Sequence, residues 1–296
     1  MAHMKLFMFV PVCCLGVIFG SFINALVWRL AKQEGLDTGE PKPKKPKAKT
    51  SAKKSVATTD YSITTGRSMC PQCHHTLAAK DLVPVLSWLS LRGRCRYCQQ
   101  PISKQYPLVE LLTGLLFVIF YLGWPFSLSG LHLVQFVYGL IYIVFFVALA
   151  VYDARWFLLP DKLVFSLTGL AVTQVSLTAV WTGDVRALWE PLAAAGVISG
   201  LFWVLYQVSG GRWIGGGDVK LAVALGLIVA SPLQALLLVF CASLLGMLGS
   251  IPLLMSGKEG LKAHIPFGPY LLAGCFIVLL WGERLWTWYM SLTYVG

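Results

Sequence analysis

The chain has 296 residues, of which 57% are hydrophobic and only 12% charged. Soluble domains carry about 25% charged residues and leave much of their surface to water. An ordinary cytosolic enzyme, a disordered chain, a collagen-like fibre and a disulfide-stapled secreted module are therefore excluded.

The solvent for most of the chain is lipid. A transmembrane helix needs about 20 mostly apolar residues. Met1–Met4 have the form of a cloning remnant and carry no functional weight. The first apolar block, 6–28, is long for a secretory signal and lacks a small-residue cleavage site before a soluble domain, so it is predicted to remain as a span.

A polar stretch follows at 29–106. Of the 24 basic residues, fifteen lie between Arg29 and Lys104. Its first part, 33–67, is rich in Lys, Pro and Thr and reads as a solvated linker. Contact with anionic lipid is the second reading, and nucleic acid is set aside. The second part, 68–106, carries two CxxC pairs, Cys70-Pro71-Gln72-Cys73 and Cys95-Arg96-Tyr97-Cys98, with 21 residues between Cys73 and Cys95. Two such knuckles can present four thiolates to a tetrahedral Zn²⁺. Four protein ligands leave no open position, so this zinc is expected to be structural and to supply folding energy. A redox dithiol and an iron–sulfur site are the alternatives. His74 and His75 read as surface residues rather than ligands.

From 107 onward, apolar blocks recur at about 108–123, 131–152, 163–182, 190–209, 219–231, 233–255 and 266–286. The predicted fold is all-α: a polytopic membrane helix bundle of about eight spans with a small cytoplasmic zinc-binding loop domain. The expected division is a first helix at 1–28, the loop region at 29–106 and the bundle at 107–296. Block 219–231 is short for a full span and is able to pair with 233–255 as a re-entrant hairpin. Cys13, Cys14, Cys241 and Cys275 read as small hydrophobes. Trp residues near block ends suit an interfacial belt. No internal repeat at a fixed period stands out.

The net charge is +11, and its placement orients the bundle. With the loop 29–106 inside and the crossings alternating, 21 of the 24 basic residues fall on inside segments. Basic loops stay in the cytoplasm, so both termini are expected to face out of it.

Three acids lie at the inner ends of these blocks: Asp153 after Val151-Tyr152, Asp161 in Leu158-Leu159-Pro160-Asp161, and Asp218 in Gly215-Gly216-Gly217-Asp218. Ionisable groups beside spanning helices are rare and usually functional. Two carboxylates sharing a site cannot both ionise cheaply, so one can hold a proton while the other acts as base. Such a pair can activate water against a peptide carbonyl and protonate the leaving amine. The glycines before Asp218 would let a substrate backbone approach. The structural alternative for the three acids is capping or pairing with Arg155, Lys162 and Lys220. It is kept for Asp161, which follows Pro160 and can cap the helix beginning near Lys162. Glu110 is read as a packing or substrate-orienting group, and Asn24 as a buried polar group in need of a partner.

With these residues in view, the chain resembles the bacterial prepilin peptidases, the type IV prepilin leader peptidases. The likeness runs through Gly20-Ser21-Phe22-Ile23-Asn24 with Arg29-Leu30, the cysteine loop Cys70 to Cys98, and Tyr106-Pro107-Leu108-Val109-Glu110. It continues through Asp153 to Asp161, Gly215-Gly216-Gly217-Asp218-Val219-Lys220-Leu221 and Ile265-Pro266-Phe267-Gly268-Pro269-Tyr270. Ala31 stands where the family often has proline, Gly216 where other residues are common, and the Lys-rich linker has no usable counterpart. The resemblance implies an aspartic endopeptidase of the bacterial inner membrane, with Asp153 and Asp218 as catalytic pair facing the cytoplasm. Prepilins and pseudopilins would be its substrates, cut between a basic leader and a hydrophobic helix. It further implies methylation of the new N-terminus with S-adenosylmethionine, an activity that accompanies the cysteine loop. Two other classes compete: a proton-coupled transporter or channel with a zinc-bearing regulatory loop, and a membrane redox protein using the CxxC pairs.

Overall fold

The computed structural model describes residues 2–36, 68–255 and 265–293. Most of the predicted basic linker, from residue 37 to 67, lies outside them, as do Lys258 and Lys262. Among the described residues the secondary structure is helical, with two isolated bridges and no strand. The helices are α1 (Ala2–Gln33), α2 (Leu86–Ser90), α3 (Gln105–Gly123), α4 (Gly130–Trp156), α5 (Asp161–Thr182), α6 (Arg186–Ser209), α7 (Gly216–Val229), α8 (Pro232–Met255) and α9 (Gly268–Thr293). All but the five-residue α2 match the predicted apolar blocks.

Seven of the described helices are long and apolar enough to cross a membrane, and α7 is not among them. Its 14 residues span about 21 Å at 1.5 Å per residue, against a hydrocarbon core of about 30 Å. The chain is a multi-pass membrane protein, and its outer surface fits that: Val180, Trp189, Leu236, Phe240 and Trp203 are all exposed. Those side chains suit lipid and would be a liability in water.

The chain divides into two compact units, one of Val10–Leu115 and one of Met1–Phe9 with Leu116–Gly296. Within the first, α1 and α3 meet almost backbone to backbone. A Cβ on Gly20 would lie 2.5 Å from Glu110 Cα, and one on Gly114 would lie 2.6 Å from Val17 Cγ2. Without a hydrophobic drive between helices in lipid, close approach at small residues supplies the packing. Asn24 sits at this contact; its Nδ2 donates to the Tyr106 carbonyl at 3.1 Å, while its buried Oδ1 has no partner.

Within the second unit the same device seats α7. A Cβ on Gly226 would lie 2.4 Å from Ala195 Cα on α6. Between α9 and α8, a Cβ on Gly274 would lie 2.9 Å from the Leu238 carbonyl oxygen. Short connections make α4 to α8 alternate in direction. The C-terminal end of α4 and the N-terminal ends of α5 and α7 therefore share one side of the bundle. Beneath the other end of α7 lies a cavity of about 150 Å³ lined by Gln135, Gln174, Thr178, Arg186 and Glu190, among others. It is a helix length away from the acids and takes no part in their chemistry.

Candidate active site and metal centre

Asp153 lies in the last turn of α4, and α4 runs three residues beyond it to Trp156. The sequence places this acid just past the apolar block; the helix continues because Ala154, Arg155 and Trp156 tolerate helical backbone. It ends at Phe157, in left-handed conformation, whose N–H reaches the Asp153 carbonyl at 2.8 Å. The Asp153 side chain is buried, and its Oδ2 accepts the N–H of Gly268, at the start of α9, at 3.1 Å.

Asp218 is the third residue of α7 and is half-buried. Its Oδ2 accepts the N–H of Gly215, the residue that caps the helix, at 3.3 Å. This is the acidic half of a capping box; glycine has no side chain with which to complete the other half. Gly217 lets this end of α7 settle on the α4–α5 connection, since a Cβ there would lie 3.1 Å from Leu159 Cβ. Gly215 and Gly216, just before Asp218, are exposed. The Asp153 carboxyl lies within electrostatic reach of Asp218. Two carboxylates from different helices thus lie on the same side of the bundle, each with one oxygen held by a helix N-terminal amide.

Asp161 does not cap α5. Pro160 is the cap and no side-chain cap bond forms. Instead Lys220 Nζ donates to Asp161 Oδ1 at 2.7 Å and Oδ2 at 3.0 Å. Both side chains are about half exposed, so the pair ties α5 to α7 at the surface rather than joining the carboxylate pair. Glu110 is buried, and its Oε2 accepts the Val85 N–H at 2.7 Å. Val85 has φ of 60°, a region that β-branched residues seldom enter, so this partly buried bond holds a strained turn at the start of α2. No signal in the sequence joins these two residues.

The four cysteines Cys70, Cys73, Cys95 and Cys98 come together, with all four Sγ atoms within 4.8 Å of one another. Cys70 and Cys98 sulfurs lie 3.9 Å apart. A tetrahedral zinc with Zn–S bonds of about 2.3 Å sets its sulfurs about 3.8 Å apart, so the cluster fits a dication of that size. Burial pushes the Cys70 thiol up to about 12, and a thiolate there calls for a cation beside it.

The two knuckles are copies of each other, although no fixed repeat stands out in the sequence. Cys70 N–H bonds the His75 carbonyl at 3.0 Å and Cys95 N–H the Gln100 carbonyl at 2.9 Å. His74 and Gln99 N–H groups return to the Cys70 and Cys95 carbonyls, each at 2.9 Å, and both residues have positive φ. Bridges Met69–Thr76 and Arg94–Pro101 close the two loops. The repeat is one of backbone path, carried by only the two CxxC pairs in sequence. His74 and His75 stay outside the thiol cluster, and the His75 ring stacks on Tyr97 at 3.7 Å.

Fold and site together define a multi-pass membrane helix bundle with two carboxylates on one side of it and a four-thiol loop. Residues 14–124 match the model of the bacterial peptidase A24 N-terminal domain, and residues 140–251 that of the type IV leader peptidase family. The prepilin leader peptidase/N-methyltransferase of Aeromonas hydrophila is 38% identical over 239 residues, covering 78% of this chain and 77% of its own. The protein of the same name from Aeromonas salmonicida is 33% identical over 93% of this chain and 91% of its own. That of Pseudomonas aeruginosa is 32% identical over 94% and 91%. No solved structure matches the chain. The chain belongs to the type IV leader peptidase family.

Proposed function

We propose that the chain is a bifunctional membrane enzyme, an aspartic endopeptidase that removes the leader from prepilins and pseudopilins and then N-methylates the exposed N-terminus. What supports the peptidase reading is that Asp153, at the end of α4, and Asp218, at the start of α7, lie on the same side of the bundle and within electrostatic reach of each other. The two carboxylates hold a water between them. One takes a proton from it as the water attacks the scissile carbonyl, and the other protonates the departing amine. Exposed Gly215 and Gly216 let the substrate backbone reach Asp218. The substrate's apolar helix lies in lipid against the bundle while its leader stays in the cytoplasm. The charge pattern supports that orientation in the bacterial inner membrane, with 21 of 24 basic residues on the inner side.

Cys70, Cys73, Cys95 and Cys98 hold a structural zinc in this reading. Bound there, it supplies folding energy to the loop. The loop accompanies the methyl transfer, for which S-adenosylmethionine is the methyl donor.

Cleavage of a purified prepilin tests the peptidase. Asp153→Asn and Asp218→Asn are each expected to lower kcat by about 10³-fold or more while the protein keeps its fold. Asp161→Asn, which loses only an exposed ion pair worth about 1 kcal/mol or less, is expected to keep most of its activity. Full cleavage by either of the first two variants removes that residue from the chemistry.

A further inference from the structure

Asp153 meets α9 through one buried backbone bond, and the first turn of α9 is built so that only one amide is available to make it. Helix N-terminal N–H groups have no acceptor inside the helix. Here Pro269 has none to offer, and the Tyr270 and Leu271 N–H groups both bond the Phe267 carbonyl at 3.1 Å. That leaves Gly268, whose N–H points at Asp153 Oδ2. We propose that Gly268 is a positioning residue for Asp153: its amide fixes Oδ2, and its missing Cβ leaves the space that the carboxylate fills.

The space matters as much as the donor. A Cβ at Gly268 would lie 2.5 Å from Asp153 Oδ2 and 3.2 Å from Cγ. Its φ is not positive, so glycine is not required here by backbone conformation; the requirement is for room. Asp153 cannot yield by moving its backbone, because its carbonyl is held by Phe157 N–H at the end of α4. The carboxylate would have to rotate. The positive end of α9 also favours an anion at this point. With Oδ2 held, Oδ1 is the oxygen left to face the reacting water. A misplacement of about 1 Å in such a group costs about 10²-fold in rate.

This inference rests on reading Asp153 as half of the catalytic pair, and the test separates the two. In the full-length protein, Gly268→Ala is expected to lower kcat by about 10²-fold with KM changed by less than about twofold. Gly246→Ala is the control: its Cβ would meet Phe267 and Tyr270 at 3.7 Å, an ordinary contact, and its kcat is expected to stay at the wild-type level. A melting cycle reads the contact without activity. Gly268→Ala should lower Tm in the wild type but not in Asp153→Ala, where the atom it meets is gone. If Gly268→Ala fails to fold alone, adding Asp153→Ala should restore folding. Equal losses of Tm in both backgrounds, or no restored folding, overturn the proposal. So does a wild-type kcat for Gly268→Ala when Asp153→Asn is inactive. Full cleavage by Asp153→Asn instead sinks the catalytic pair and leaves the melting cycle to stand or fall by itself.

Discussion

Asp81 accepts hydrogen bonds from Arg96 Nε at 2.7 Å and Tyr97 Oη at 3.0 Å, and so ties the turn Ala79–Asp81 to the second cysteine knuckle. Burial works against its charge, but the bonds from Arg96, Tyr97 and the Ala78 amide win and hold the carboxyl below its ordinary value. A depressed acid contributes stability that is present above its unfolded value of about 3.9 and is lost as pH falls through the lower folded one. The loop should therefore loosen below about pH 4, and Asp81→Asn should lose that part of the acid response while being less stable at neutral pH. Limited proteolysis across a pH series checks this; identical profiles for wild type and variant would show that Asp81 does not hold the loop. The Asp161–Lys220 pair has similar bond lengths but about half-exposed partners, so water screens it and it contributes little.

At the scale of elements, the cysteine loop and α7 solve different problems. The stretch from Cys70 to Cys98 has two buried thiols but no large apolar core; α2 and the turn Ala79–Asp81 add no buried apolar residue to it. Its order must come from the four-thiol cluster, from Asp81 and from the Glu110–Val85 bond. Structural zinc sites are worth about 10–16 kcal/mol, enough to decide whether such a loop folds. Cys70→Ser, or a strong chelator, should release zinc and make the loop protease-sensitive while the membrane helices keep their circular dichroism. Metal analysis of the purified protein checks it, and a metal-free, protease-resistant loop would contradict the assignment. In α7 the constraint is length. A 14-residue helix cannot cross the bilayer unaided, so it is buried against α6 through Gly226 and Ala195. That packing leaves the N-terminal end of α7, which carries Asp218, on the side of the bundle where α4 ends with Asp153.

For the whole molecule, charge placement and the candidate chemistry agree. The ends of α4, α5 and α7 that carry the acids also carry basic residues, Arg155, Lys162 and Lys220, with Arg212 in the connection before α7. The proposed orientation follows the positive-inside rule, which assigns these ends to the cytoplasm. An epitope appended after Gly296 should then be reachable by antibody in intact spheroplasts, and the cysteine loop only in inverted vesicles. The opposite pattern would turn the protein over and remove the acids from a cytoplasmic leader.

By itself the sequence determined what is local or additive. The apolar blocks made lipid the solvent, the basic count chose a side, and two CxxC pairs named four thiols, because each depends on composition or on residues a few positions apart. Asp153, Asp161 and Asp218 were all legible as boundary acids; Pro160 marked Asp161 as a cap, and only the family resemblance singled out the other two. Tertiary structure separated them: Asp161 found Lys220 at the surface, whereas Asp153 found the α9 amide 115 residues away and the charge of Asp218. The Glu110–Val85 bond and the backbone identity of the two knuckles were decided in the same way. The contacts of Asp153 and α7 follow from how closely helices pack at glycines such as Gly268 and Gly226, and a missing Cβ shows its purpose only when the neighbouring atom is in place.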